Sequence, residues 1–194
     1  MSRQMSPDEI KDFISKYGYK PTGILVAIDA LAIYVHKDNP VKCLTLVQLD
    51  KIFSAEPQGE GGLSIKTWGD LGATGEWAAK PITLYGRNSL SGTSKYFRAK
   101  VLARHDFKSN LIEKSGSSGV ISSIEMDLGS IGYSGIGYKK DGFQTIEIAE
   151  AATGKCYDPS FEATYSHKYS LARGLFVYLL KDPKRPLILL AANL

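Results

Sequence analysis

The run from Gly23 to His36 constrains this chain most. It is apolar, rich in Ile, Val and Tyr, and too continuous to show the alternation of a strand with one wet face. It reads as an extended strand buried in the protein, of the kind found in sheets covered on both sides. Asp29 interrupts the run. A carboxylate inside an apolar strand is costly unless it is paired or faces a ligand.

The segments around this strand alternate in character. Ser6-Pro7-Asp8-Glu9 reads as a helix start, with a capping Ser, Pro at the first helical position and acids in the first turn, and Gly18 ends that helix. Lys37 to Pro40 is a turn, and Thr45 caps a helix that runs through about Phe53. Trp68-Gly69-Asp70-Leu71-Gly72 reads as a compact turn around a buried Trp. Strands are expected at 81–85, 131–138, 145–149 and 169–180, and helices at 94–103 and 120–126. Strands that alternate with helices argue for an α/β fold with a mixed, mostly parallel sheet carrying helices on both faces.

Composition removes several function classes. The chain is 43% hydrophobic and 23% charged, which is ordinary for a globular core. The net charge of +4 suits an anionic ligand, but it is small and scattered, which speaks against nucleic acid. No stretch is apolar for long enough to insert in a membrane, and Met1 to Met5 lacks the apolar stretch of a secretory signal. Cys43 and Cys156 match no metal spacing, so no metal or cofactor is expected, and their disulfide status stays open.

The chemistry concentrates where the strand ending at Tyr85 meets Arg87-Asn88-Ser89-Leu90-Ser91-Gly92-Thr93 and then a helix. The first turn of a helix leaves N–H groups unsatisfied, and the macrodipole makes that end positive, so an anion seats there readily. Ser91 and Thr93 add hydroxyl donors, Gly92 permits close backbone approach, and the planar fork of Arg87 matches two oxygens of a tetrahedral anion. The segment is neither a Walker loop nor a nucleophile elbow, and a plain helix cap is its bland alternative. A second cluster, Ser115-Gly116-Ser117-Ser118-Gly119, gives another helix a polar start and is a candidate second wall.

A family resemblance is carried by Val26-Ala27-Ile28-Asp29-Ala30-Leu31-Ala32, Trp68-Gly69-Asp70-Leu71-Gly72, Tyr85 through Thr93, Gly116 through Val120, Gly129 through Tyr133, and Tyr169-Ser170-Leu171-Ala172-Arg173. In this order and spacing the chain closely resembles the phosphate-binding proteins of ABC-type phosphate importers. The resemblance implies a two-lobed type II periplasmic-binding-protein fold, with residues 1–28 and 171–194 belonging to a first lobe present only in part. Residues 29–170 would form the anion-binding lobe. It implies phosphate binding by Arg87, Ser91, Gly92 and Thr93 with Ser89 nearby, and adds Ser2 and Arg3 from the first lobe. Asp29 and Arg173 would lie at the two crossings between the lobes, and Asp29 carries two readings, an acceptor for a phosphate proton or a hinge residue paired with an Arg. Asn88 stands where the family often has an Asp that orients the Arg, and Leu90 where Gly is common. The implied function is non-enzymatic: an extracytoplasmic component that delivers inorganic phosphate to a membrane permease. Alternatives are a relative used for sensing or surface attachment, or a phosphoester hydrolase built on Ser91 with His36, His105 or His167.

Overall fold

A computed structural model describes residues 3–58, 62–137, 141–152, 154–180, 182 and 184. Ser2, Tyr138 and the expected return segment after 184 lie outside these. The strands are β1 (Thr22–His36), β2 (Cys43–Thr45), β3 (Thr83–Arg87), β4 (Ile112–Lys114), β5 (Ser130–Gly135), β6 (Phe143–Ala149) and β7 (Ala172–Leu179). The helices are α1 (Pro7–Tyr17), α2 (Leu46–Phe53), α3 (Gly92–Lys100), α4 (Ser117–Met126) and α5 (Phe161–Tyr165). Two compact units form, Ile28–Arg173 and Met1–Ala27 with Gly174–Leu194, and the chain passes between them within β1 and again within β7.

The seven-stranded sheet runs β2-β6-β1-β5-β3-β4, with β7 also paired to β1. It is mixed: β3 is parallel to β4 and β5, and β2 to β6, while β1 is antiparallel to β5 and β6. Within the larger unit β1 lies inside the sheet, and its side chains alternate between two separate cores. Leu31, Ile33 and Val35 join a core with Leu49, Ile52 and Phe53 of α2 and Phe97 of α3. Ala32 and Tyr34 face the other side, with Val120, Ile121 and Ile124 of α4. A strand buried on both faces must be apolar at successive positions, which is the pattern of its sequence.

The first core is rich in rings. Phe97 stacks on Tyr133 at 4.2 Å between centroids, and Phe53 meets Phe97 edge-on at 5.1 Å. Burial pushes the Tyr133 hydroxyl up to about 12. Trp68 is fully buried and donates its indole N–H to the Gly129 carbonyl at 3.0 Å. The turn that follows is a single 3-10 turn closed by Gly72 at φ 86°. Asp70 holds it by accepting the N–H groups of Lys66 and Thr67, bonds that lower its pKa. Cys43 of β2 and Cys156 form a disulfide across a Cα distance of 6.1 Å.

In the smaller unit the expected capping box is present: Ser6 accepts the Glu9 N–H and Glu9 accepts the Ser6 N–H. Gly18 closes α1 in the left-handed conformation at φ 77°. The Met5 N–H donates to the Tyr178 hydroxyl at 2.9 Å. The Tyr178 ring lies over Gly23 so closely that a Cβ there would come within 2.7 Å of it.

Candidate anion site

The site belongs to the larger unit and begins with a pair of parallel strands. β3 and β4 run side by side with Arg87 opposite Lys114. Each strand then leads into a helix, β3 into α3 and β4 into α4, so two helix starts follow neighbouring strand ends. Ligands of open α/β sheets collect outside the carboxyl ends of the strands, where such helix starts lie. The Asn88 N–H extends the pairing by donating to the Lys114 carbonyl at 3.0 Å.

Arg87, at the end of β3, reaches across to the start of α4. Its Nη1 donates to the Ser117 hydroxyl at 2.7 Å, and its Nη2 lies 3.5 Å from the Ser115 carbonyl. Its Nε is buried and has no hydrogen-bond partner. A buried charged donor left unpaired is expensive, and an acceptor oxygen from a ligand removes that cost. Around it, α4 begins at Gly116 without a side-chain cap, and the Lys114 ammonium lies 5.4 Å over the Tyr85 ring. The surroundings therefore offer positive charge and spare N–H groups.

The hydroxyls share one feature: each has its oxygen occupied by an N–H and keeps a proton to give. Ser91 caps α3 by accepting the Ser94 N–H at 3.0 Å, Ser117 accepts from Arg87, and Thr93 accepts from Arg173 Nη1 at 3.2 Å. Gly92 and Thr93 occupy the first turn of α3, where N–H groups have no intrahelical acceptor. Thr93 is buried, whereas Ser89 is exposed and directs its N–H to the Glu113 carboxylate at 3.4 Å. Tyr133 supports the floor, its hydroxyl 3.3 Å from both the Arg87 carbonyl and Ser94 Oγ.

Asp29 takes one of its two expected partners, an Arg, whereas Asn88 takes a role other than the one its position suggested. Asn88 does not orient Arg87: its Oδ1 accepts the Ser91 N–H at 3.1 Å and closes the turn, while Ser117 holds the guanidinium. Leu90 is 84% exposed, and its φ is outside the left-handed region, so the turn forms without the family's Gly. Asp29 pairs with Arg173, its Oδ2 accepting Nε at 3.0 Å and Nη2 at 2.8 Å. In the smaller unit, Arg3 gives both ends of its fork to Glu9 at 2.6 and 2.7 Å, which holds the Glu9 carboxyl down at about 2. Two of the three histidines weighed beside Ser91 lie near acids, His36 3.6 Å from Asp38 and His105 3.3 Å from Glu56. The sequence offered Ser115 to Gly119 as a second wall beside Arg87, and the structure adds the Arg87–Ser117 bond, but the sequence held no sign of the Thr93–Arg173 contact. Both join segments far apart in the chain, and only the strand order brings them together.

Known proteins resemble this chain over most of its length. Residues 1–193 match the family model of the PBP superfamily domain. The chain is 48% identical over 187 residues to the phosphate-binding protein PstS of Pseudomonas aeruginosa, covering 96% of this chain and 58% of that protein. It is 26% identical over 181 residues to protein SphX of Synechococcus elongatus, covering 92% and 52%. It thus spans little more than half the length of these curated relatives. A Clostridium perfringens protein solved with bound phosphate superposes at a TM-score of 0.72, with 26% identity over 93% of this chain and 64% of that one. An ABC-type phosphate transport receptor from Vibrio cholerae shares the fold at a TM-score of 0.71 and 22% identity, over 94% and 66%. With its mixed sheet, its helix starts at neighbouring strand ends and its match along nearly the whole sequence, the chain belongs to the PBP superfamily.

Proposed function

We propose that the larger unit binds inorganic phosphate at Arg87, Ser91, Gly92 and Thr93, and that the protein serves as the extracytoplasmic solute-binding component of an ABC-type phosphate importer. The observation that carries the reading is the buried, unpartnered Nε of Arg87 beside the starts of α3 and α4. A tetrahedral dianion offers acceptor oxygens to that Nε, to the hydroxyls and to the first-turn N–H groups together. The similarity to PstS supports phosphate as the anion and a membrane permease as the partner that receives it. No helix among the described residues is long and apolar enough to cross a membrane, and a permease supplies the passage in this reading. Ser91 serves as a helix cap, and His36 and His105 lie beside Asp38 and Glu56 instead, which favours binding over hydrolysis.

Isothermal titration with phosphate and then sulfate tests the proposal. Phosphate near neutral pH carries a proton that sulfate lacks, so a site built for phosphate distinguishes the two. Saturable phosphate binding that exceeds sulfate binding is expected. Equal affinity for both would reject phosphate as the specific ligand and leave a general oxyanion site.

A further inference from the structure

Arg173 is 8% exposed and contacts both an acid and a hydroxyl. Its Nε and Nη2 hold Asp29 Oδ2 at 3.0 and 2.8 Å, and its Nη1 donates to Thr93 Oγ1 at 3.2 Å. The guanidinium also lies 5.6 Å from the Tyr96 ring, whose hydroxyl donates to the Ala172 carbonyl at 2.8 Å. Thr93 and Tyr96 stand three residues apart on α3, so one helix face meets Arg173 twice. Asp29 follows Ile28, where the larger unit begins, and Arg173 ends that unit. The ion pair therefore joins the points where the chain enters and leaves it.

We propose that Arg173 is a positioning residue for the anion site, held by Asp29 and acting through the Thr93 hydroxyl. This rests on the phosphate reading given above. A hydroxyl oxygen has two acceptor sites and one proton. With a cationic N–H on one acceptor site, the Thr93 proton turns away from Arg173, and the O–H bond is polarised into a better donor. Thr93 thus reaches the anion as a donor. Asp29 serves the ligand indirectly, by fixing the guanidinium, instead of accepting a phosphate proton at the oxygen it gives to Arg173. Lysine in place of Arg173 has no planar fork with which to hold Asp29 and Thr93 together.

A double-substitution cycle on the full chain, read by isothermal titration with inorganic phosphate, tests this. Thr93→Val is expected to weaken binding by roughly tenfold to a hundredfold, and Arg173→Lys by about tenfold. The two together should be no weaker than Thr93→Val alone, within about threefold. Thr93→Ser, which restores a hydroxyl, should restore sensitivity to Arg173→Lys. Should Arg173→Lys fail to fold, as judged by circular dichroism, Asp29→Asn carries the same cycle. Losses that multiply, or an Arg173→Lys protein that binds phosphate unchanged, would overturn the inference while leaving the phosphate reading intact. No phosphate binding by the unsubstituted chain would overturn that reading, and this inference with it.

Discussion

Ser117 gives the clearest test at the scale of single residues, because its hydroxyl holds the Arg87 guanidinium at the start of α4. Its hydroxyl accepts Nη1 at 2.7 Å, a bond to a charged donor. Ser117→Ala should weaken phosphate binding by about 1–2 kcal/mol with little change in thermal stability, and titration beside a melting curve checks both. Unchanged affinity would mean that Arg87 does not need that support. Arg87, Ser91 and Thr93 stood out as candidates in the sequence because one short segment holds an Arg, hydroxyls and a helix start. Their supports were legible only in part. Ser117 lies in the second serine cluster, a candidate wall, whereas the contact of Arg173 with Thr93 joins distant segments and carries no local pattern. Asn88 shows the opposite error. Its place beside the Arg suggested a role for its neighbour, whereas its short amide closes its own turn.

Secondary-structure elements were legible in proportion to the chemistry at their ends. The starts at Ser6 and Thr45 could be read because a capping residue precedes an apolar repeat, and both form capping boxes. Thr45→Ala should therefore cost about 1 kcal/mol, measurable by urea unfolding. The cap of α1 adds a pH dependence. Arg3 and the Ser6 N–H hold the Glu9 carboxyl at about 2, against an ordinary value of 4.5. A lowered folded-state pKa means that the stabilisation is complete above 4.5 and is lost as pH falls through about 2. Amide exchange in α1 should accelerate across that window, and Glu9→Gln should remove the pH dependence. β2 and β4 could not be read, since three-residue strands carry no period. The antiparallel placement of β1 was equally hidden, because an apolar run reports burial and says nothing of strand direction.

For the molecule as a whole, the sequence carried the fold class and the family, and the strand order came from the structure. The disulfide lay out of reach for the same reason. Cys43 and Cys156 are 113 residues apart, and only the folded chain brings their Cα atoms to 6.1 Å. Closing so long a loop restricts the unfolded chain, so Cys43→Ser with Cys156→Ser should lower stability by about 2–5 kcal/mol. Thermal unfolding with and without reductant should show the same loss, and equal curves would contradict it. The central claim is that Arg87 is the charged half of a phosphate grip. Titration of phosphate into the unsubstituted chain and into Arg87→Ala tests it most directly. Binding that weakens by about 2–4 kcal/mol on loss of the guanidinium is the predicted result. Phosphate binding with the same affinity in both proteins would contradict it.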